Sequence, residues 1–115
     1  MKKRSRSAEI GVSSGNVFAD LGFENAEEEL AKARLTAAIA RAIKSRRFKN
    51  QREAAEVLGI DQPKISKLLR GHFAEYSVGR LLTFLTRLGY NVEIKVANRP
   101  HVRKPGHLDV ANTGA

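Results

Sequence analysis

Apolar residues recur at helical spacing in four stretches of this chain and alternate in one. Leu35, Ala38, Ile39, Ala42 and Ile43 fall on one face of a helix predicted from about Ala26 to Ser45, while Lys32, Arg34, Arg41 and Lys44 lie largely outside that stripe. Ala54, Ala55, Val57 and Leu58 mark a short second helix, Gln51 to Leu58, and Ile65, Leu68 and Leu69 a third that Gly71 stops. Val78, Leu81, Leu82, Leu85 and Leu88 mark a fourth, from about Ser77 to Leu88, ended by Gly89. In YNVEIKV, residues 90–96, Val92, Ile94 and Val96 then alternate with Asn91, Glu93 and Lys95, the pattern of one half-buried strand.

The polar residues between these stripes predict where each element starts and stops. Asn25 offers a cap to the first helix, and Glu27, Glu28 and Glu29 suit the positive end of its dipole. Asn50-Gln51-Arg52-Glu53 has the spacing of a capping box. Gly59 is the expected left-handed terminator, Asp61 can cap the next helix through the N–H of Lys64, and Pro63 lies in the first turn, where a missing N–H costs little. Upstream, NVFADLGF (residues 16–23) suggests a short extended or single-turn element that packs on a neighbouring helix. Residues 1–14 read as a flexible basic arm, residues 15–96 as the one domain, and residues 97–115 as a disordered tail.

A solitary strand leaves a row of unpaired backbone donors and acceptors. Pairing of residues 90–96 with the same segment of a second copy would satisfy them and bury Val92, Ile94 and Val96 of both chains, making a two-fold homodimer. The other solution is pairing within the chain against residues 15–19.

Composition narrows the function. The 115 residues contain no Cys, which removes a disulfide framework, a thiolate nucleophile and Cys-based zinc binding. His72, His101 and His107 show no metal spacing, no glycine-rich phosphate loop occurs, and Ser13-Ser14-Gly15 has no base partner in view, so catalysis is not expected. Neither a cofactor, a small-molecule ligand nor a membrane span is indicated. The formal charge of +9 is uneven: residues 15–31 carry a net −5, residues 32–75 a net +7. Concentrated positive charge points to a polyanionic partner, with solubility as the plainer alternative. RNA is the rival polyanion, but Phe18, Phe23, Phe48, Phe73 and Phe84 all fall where packing can use them, leaving no evident stacking platform.

The two central helices meet across a short connection containing glycine, as in a helix-turn-helix. Small Ala55 stands where the helices cross, Gly59 where the chain turns sharply, and Ile65 with Leu68 where the second helix is pinned to the core. NQREAAEVLGIDQPKISKLLRGHF closely resembles the helix-turn-helix of the λ-repressor-like, or XRE, family. The flanks SSGNVFADLGFENAEEELAKARLTAAI and SVGRLLTFLTRLGYNVEIKV resemble its HigA-like antitoxin branch, so the likeness covers roughly residues 13–96.

That resemblance implies a mainly α fold, a λ-repressor-like bundle of four to five helices, with one C-terminal β-strand that pairs across a homodimer. It implies recognition of double-stranded operator DNA by the second helix of the motif, in the cytoplasm at the nucleoid. Gln62 matches the base-reading glutamine, whose amide can pair with an adenine edge, and Gln51 the helix-start glutamine that contacts phosphate. Lys67, Ser66 and Pro63 join the base-reading set, Pro63 with apolar contact alone, as to a thymine methyl. Arg52, Lys64 and Arg70 are assigned to phosphates, His72 to the surface or a phosphate, and Asp61 to capping. The antitoxin branch implies repression of its own operon and a ribonuclease-type toxin partner. Phe18, Leu21, Phe23, Glu27 and Glu28 are the candidate toxin contacts, against a plainer reading in which they pack and cap. A stand-alone or phage-type repressor without a toxin is the alternative.

Overall fold

The structure is a computed structural model that describes residues 16–101 and 103–112. Five helices follow one another: α1 (Val17–Asp20), α2 (Ala26–Arg46), α3 (Gln51–Leu58), α4 (Gln62–Leu69) and α5 (Val78–Arg87). The expected basic arm, residues 1–14, lies outside the described residues.

The apolar stripes meet in one core. Leu35, Ile39 and Ala42 of α2 pack with Ala54, Ala55 and Leu58 of α3, Ile65 and Leu68 of α4, and Leu81, Phe84, Leu85 and Leu88 at α5. Long α2 is the spine on which α1, α4 and α5 rest. Seven of the large side chains here, Phe84 and Ile39 among them, are less than 2 % exposed, and each full burial of such a group stabilises by about 1.5–3 kcal/mol. Tyr76 completes the core by stacking edge-on against Phe84, 5.4 Å between ring centroids. No helix among the described residues is long and apolar enough to cross a membrane.

Most helix starts follow the capping chemistry. Asn50 accepts from the Glu53 N–H at 3.0 Å, while the Glu53 carboxylate accepts from the Lys49 N–H at 2.9 Å, one residue upstream of the usual box partner. Ser77 accepts from the Arg80 N–H at 3.1 Å. Asn25 is a correction: it stands at the N-cap of α2 but its side chain makes no capping bond. Asn16 instead organises this corner, accepting from the N–H groups of Phe18 and Ala19 to start α1 and donating to the Ala26 carbonyl at 3.1 Å.

The expected C-terminal strand is not seen in the single chain. No strand occurs among the described residues, and residues 90–96 run without a ladder partner, with Ile94 72 % and Val96 93 % exposed. A strand exists only through pairing, and the described residues supply no partner. Of the intrachain candidate, residues 15–19, positions 17–19 are helical and so offer no strand to pair with. Tyr90 and Val92 still pack against the core.

Residues 103–112 carry no regular structure, yet they return to α2 instead of trailing away. Arg34 pairs with Asp109 at 2.6 Å, Glu27 accepts from the Leu108 N–H at 2.8 Å and contacts His107 at 2.6 Å, and Val110 rests on the core.

Candidate nucleic-acid interface

Local chemistry at the connection fixes how α4 leaves α3. Gly59 adopts φ +73°, a left-handed conformation that costs an L side chain about 1–2 kcal/mol. The N–H groups of Gly59 and Ile60 both donate to the Ala55 carbonyl, at 2.8 and 3.1 Å, and close the end of α3. Asp61 then accepts from the Lys64 N–H at 3.2 Å, starting α4 with Pro63 in its first turn. Ala55 is buried between the helices, as its size requires.

Ile65, fully buried, and Leu68 fasten α4 to the core, and at 100° per residue they dictate what faces outward. Pro63, Lys67 and Arg70 lie opposite the anchors, with Gln62 and Ser66 flanking one side and Lys64 the other. Gln62, Pro63, Lys64, Lys67 and Arg70 are exposed and Ser66 is half-buried. Arg70 Nη1 donates to Ser66 Oγ at 2.9 Å, one turn back along the same helix. Gln51 and Arg52, at the start of α3, are likewise exposed. All eight residues assigned to DNA from the sequence therefore stand on the α3–α4 unit, where the first turn of each helix presents N–H groups and a positive dipole end that suit phosphate.

On the Lys64 side, α4 and the start of α5 enclose a cleft of about 350 Å³ lined by Ile60, Lys64, Glu75, Tyr76, Ser77 and Arg80. Burial, reinforced by neighbouring Glu75, raises the pKa of the Tyr76 hydroxyl there. Arg80, whose guanidinium stacks 5.1 Å over Phe84, adds a cation beside Lys64 that the sequence reading missed. Its placement three residues past the Ser77 cap was the available signal.

Two further arginines escaped the sequence reading. Arg87 Nη1 donates to the Leu58 carbonyl at 3.0 Å, and Arg46 Nη1 donates to the Leu88 carbonyl at 2.8 Å. Each stands at the end of a helix before a connector, where basic residues are common, and only the partner's position marks it out.

The candidate toxin-contact residues divide. Leu21 and Phe23 are 69 and 45 % exposed, with neighbouring Val17, outside the candidate set, 55 % exposed, whereas Phe18 is half-buried, edge-on to Phe23 and Phe73 at 5.5 and 6.2 Å. Glu28 is exposed, and Glu27 is engaged by His107 and Leu108. His72 is exposed just beyond α4. Among the described residues, no group of three or more His, Cys, Asp or Glu could hold a metal ion.

Residues 17–97 match the model of a helix-turn-helix domain family. The chain is also similar to a solved structure named as an XRE-family transcriptional regulator, with a TM-score of 0.68 and 38 % sequence identity over 76 % of this chain and 98 % of that one. No curated protein matches the chain. On the turn at Gly59, the anchored α4 and the extent of these matches, the chain belongs to the helix-turn-helix domain family, as an XRE-like member.

Proposed function

We propose that the protein is a sequence-specific transcriptional regulator that binds double-stranded operator DNA by laying α4 in the major groove. The observation that carries this reading is the outer face of α4: Gln62, Lys67 and Arg70 exposed on a helix whose opposite side is fixed by Ile65 and Leu68. Gln62 reads an adenine edge, Lys67 with Ser66 and Pro63 supplements it, and Gln51, Arg52, Lys64 and Arg70 hold phosphates. Residues 90–96 pair with a second copy, which would cover the exposed Ile94 and Val96 and space two recognition helices along the duplex.

A HigA-like antitoxin that represses its own operon and neutralises a ribonuclease-type toxin is the finer form of this proposal. The exposed Val17, Leu21 and Phe23 beside acidic Glu28 support it, since they offer an apolar, negatively charged surface to a basic toxin. A stand-alone repressor is the second reading, favoured by the engagement of Phe18 with Phe73 and of Glu27 with Leu108 inside the chain. A gel shift on the DNA upstream of its own gene, with nonspecific competitor, tests operator binding; failure to prefer that DNA would sink it. A neighbouring gene whose product is toxic alone and harmless with this protein would select the antitoxin form.

A further inference from the structure

We propose that Arg87 is a positioning residue for DNA recognition: from the end of α5 it holds the turn that sets the pose of α4. This rests on the reading of α4 as the recognition helix. The last carbonyls of a helix have no partner within it. At α3, those of Ala55 and Glu56 are taken by the N–H of Gly59, and that of Leu58 is taken by Arg87 Nη1, which comes from a residue 29 positions away. A guanidinium at a helix C-terminus satisfies the carbonyl and opposes the negative end of the dipole.

The approach is close enough to constrain the sequence. A Cβ at Gly59 would lie 2.7 Å from Arg87 Nη1, so a side chain at position 59 is strained by its φ of +73° and would push the guanidinium off its seat on the turn. The same arrangement recurs one link back. Arg46, the last residue of α2, donates to the Leu88 carbonyl at the end of α5, beside Gly89, where a Cβ would stand 3.4 Å from Arg46 Nη1. The spine α2 thus fixes the end of α5, and the end of α5 fixes the end of α3. Between them they define where the turn leading into α4 begins.

Ile65 and Leu68 already hold α4 in the core, so Arg87 is not needed for α4 to exist. Its effect falls on pose: side chains that read base edges must be held within about 0.5 Å of their productive geometry. Nonspecific binding, carried by phosphate charge, tolerates a looser helix. Losing Arg87 should therefore separate specific from nonspecific affinity, which a purely stabilising contact would not do.

The test uses the full chain, a duplex enriched by the unmodified protein from a random-sequence library, and a scrambled duplex of the same length and composition. Arg87→Ala should lose about tenfold in affinity on the enriched duplex and less than about twofold on the scrambled one. The salt slope on the scrambled duplex should be unchanged, and amide exchange should quicken at Gly59 and Ile60. Arg87→Lys, which retains a cationic donor, should recover most of the loss. Equal losses on both duplexes would make Arg87 a phosphate contact, and a lower melting temperature with an unchanged affinity ratio would make it merely structural; either overturns the proposal. If Arg87→Ala does not fold, Arg46→Ala reports on the relay one link back, and an unchanged ratio there overturns it equally. An unmodified protein that enriches no sequence would overturn both this inference and the DNA-reading role, whereas a preference retained by Arg87→Ala overturns this inference alone.

Discussion

Arg70 Nη1 donates to Ser66 Oγ at 2.9 Å, one turn apart on the outer face of α4, so two residues assigned to different parts of a DNA duplex behave as one unit. The hydroxyl that accepts from Arg70 keeps its own O–H to offer elsewhere, and the guanidinium is aimed along the helix. Ser66→Ala should consequently weaken binding to random duplexes by about 0.5–1.5 kcal/mol, through loss of Arg70's orientation, and to the specific site by more, through the lost base contact. A double-mutant cycle with Arg70→Ala checks this: the combined loss should fall short of the sum of the two single losses.

Gln62 and Lys64 flank opposite sides of the outer face and should separate by readout. Gln62→Ala should cost about 1–3 kcal/mol on the selected site and little on random DNA. Lys64→Ala should weaken both by similar factors and reduce the salt slope by about one. Titrations of both variants at several salt concentrations measure this directly.

Gly59→Ala should lower stability by at least about 1–2 kcal/mol, from the positive φ alone. The new Cβ would also displace the Arg87 guanidinium from 2.7 Å, so the measured loss should exceed that of Gly71→Ala, where φ is similarly positive and nothing lies within 4 Å. Thermal or denaturant unfolding of the two variants provides the comparison.

The return of the C-terminal segment to α2 should depend on acid. Contact with His107, then the N–H of Leu108, hold the Glu27 pKa below its ordinary value. A depressed carboxylate favours the docked segment above its undocked pKa, and that preference fades as pH falls through the lowered value. The Leu108 amide resonance should shift in that acid range, and Glu27→Gln should abolish the transition.

Exposed Ile94 and Val96 mark residues 90–96 as the segment to test for self-association. Light scattering at micromolar concentration should report a dimer, and Ile94→Lys should convert it to a monomer without unfolding the helices. A monomer that Ile94→Lys leaves unchanged would contradict pairing through this segment.

Much of the helical layout was legible because its causes are local. The stripe from Leu35 to Ile43, the caps at Asn50 and Asp61, the turn at Gly59 and the anchors Ile65 and Leu68 all operate within a few residues, over distances that the backbone itself fixes. They also determined the outward face of α4, since burying Ile65 and Leu68 leaves Pro63, Lys67 and Arg70 no other direction to point. Tertiary structure decided everything that needed a distant partner. Asn16, not Asn25, closes the α1–α2 corner, because the Ala26 carbonyl and the α1 N–H groups converge on it. The alternation of Val92, Ile94 and Val96 forms no strand within the described residues, because a ladder needs a second strand that they do not supply. Arg46, Arg87 and the Glu27–Leu108 contact join residues 42, 29 and 81 positions apart. Spacing along the chain encodes no such meeting; it arises only when packed helices bring one helix's unpaired carbonyls, or an exposed carboxylate, within reach of a donor.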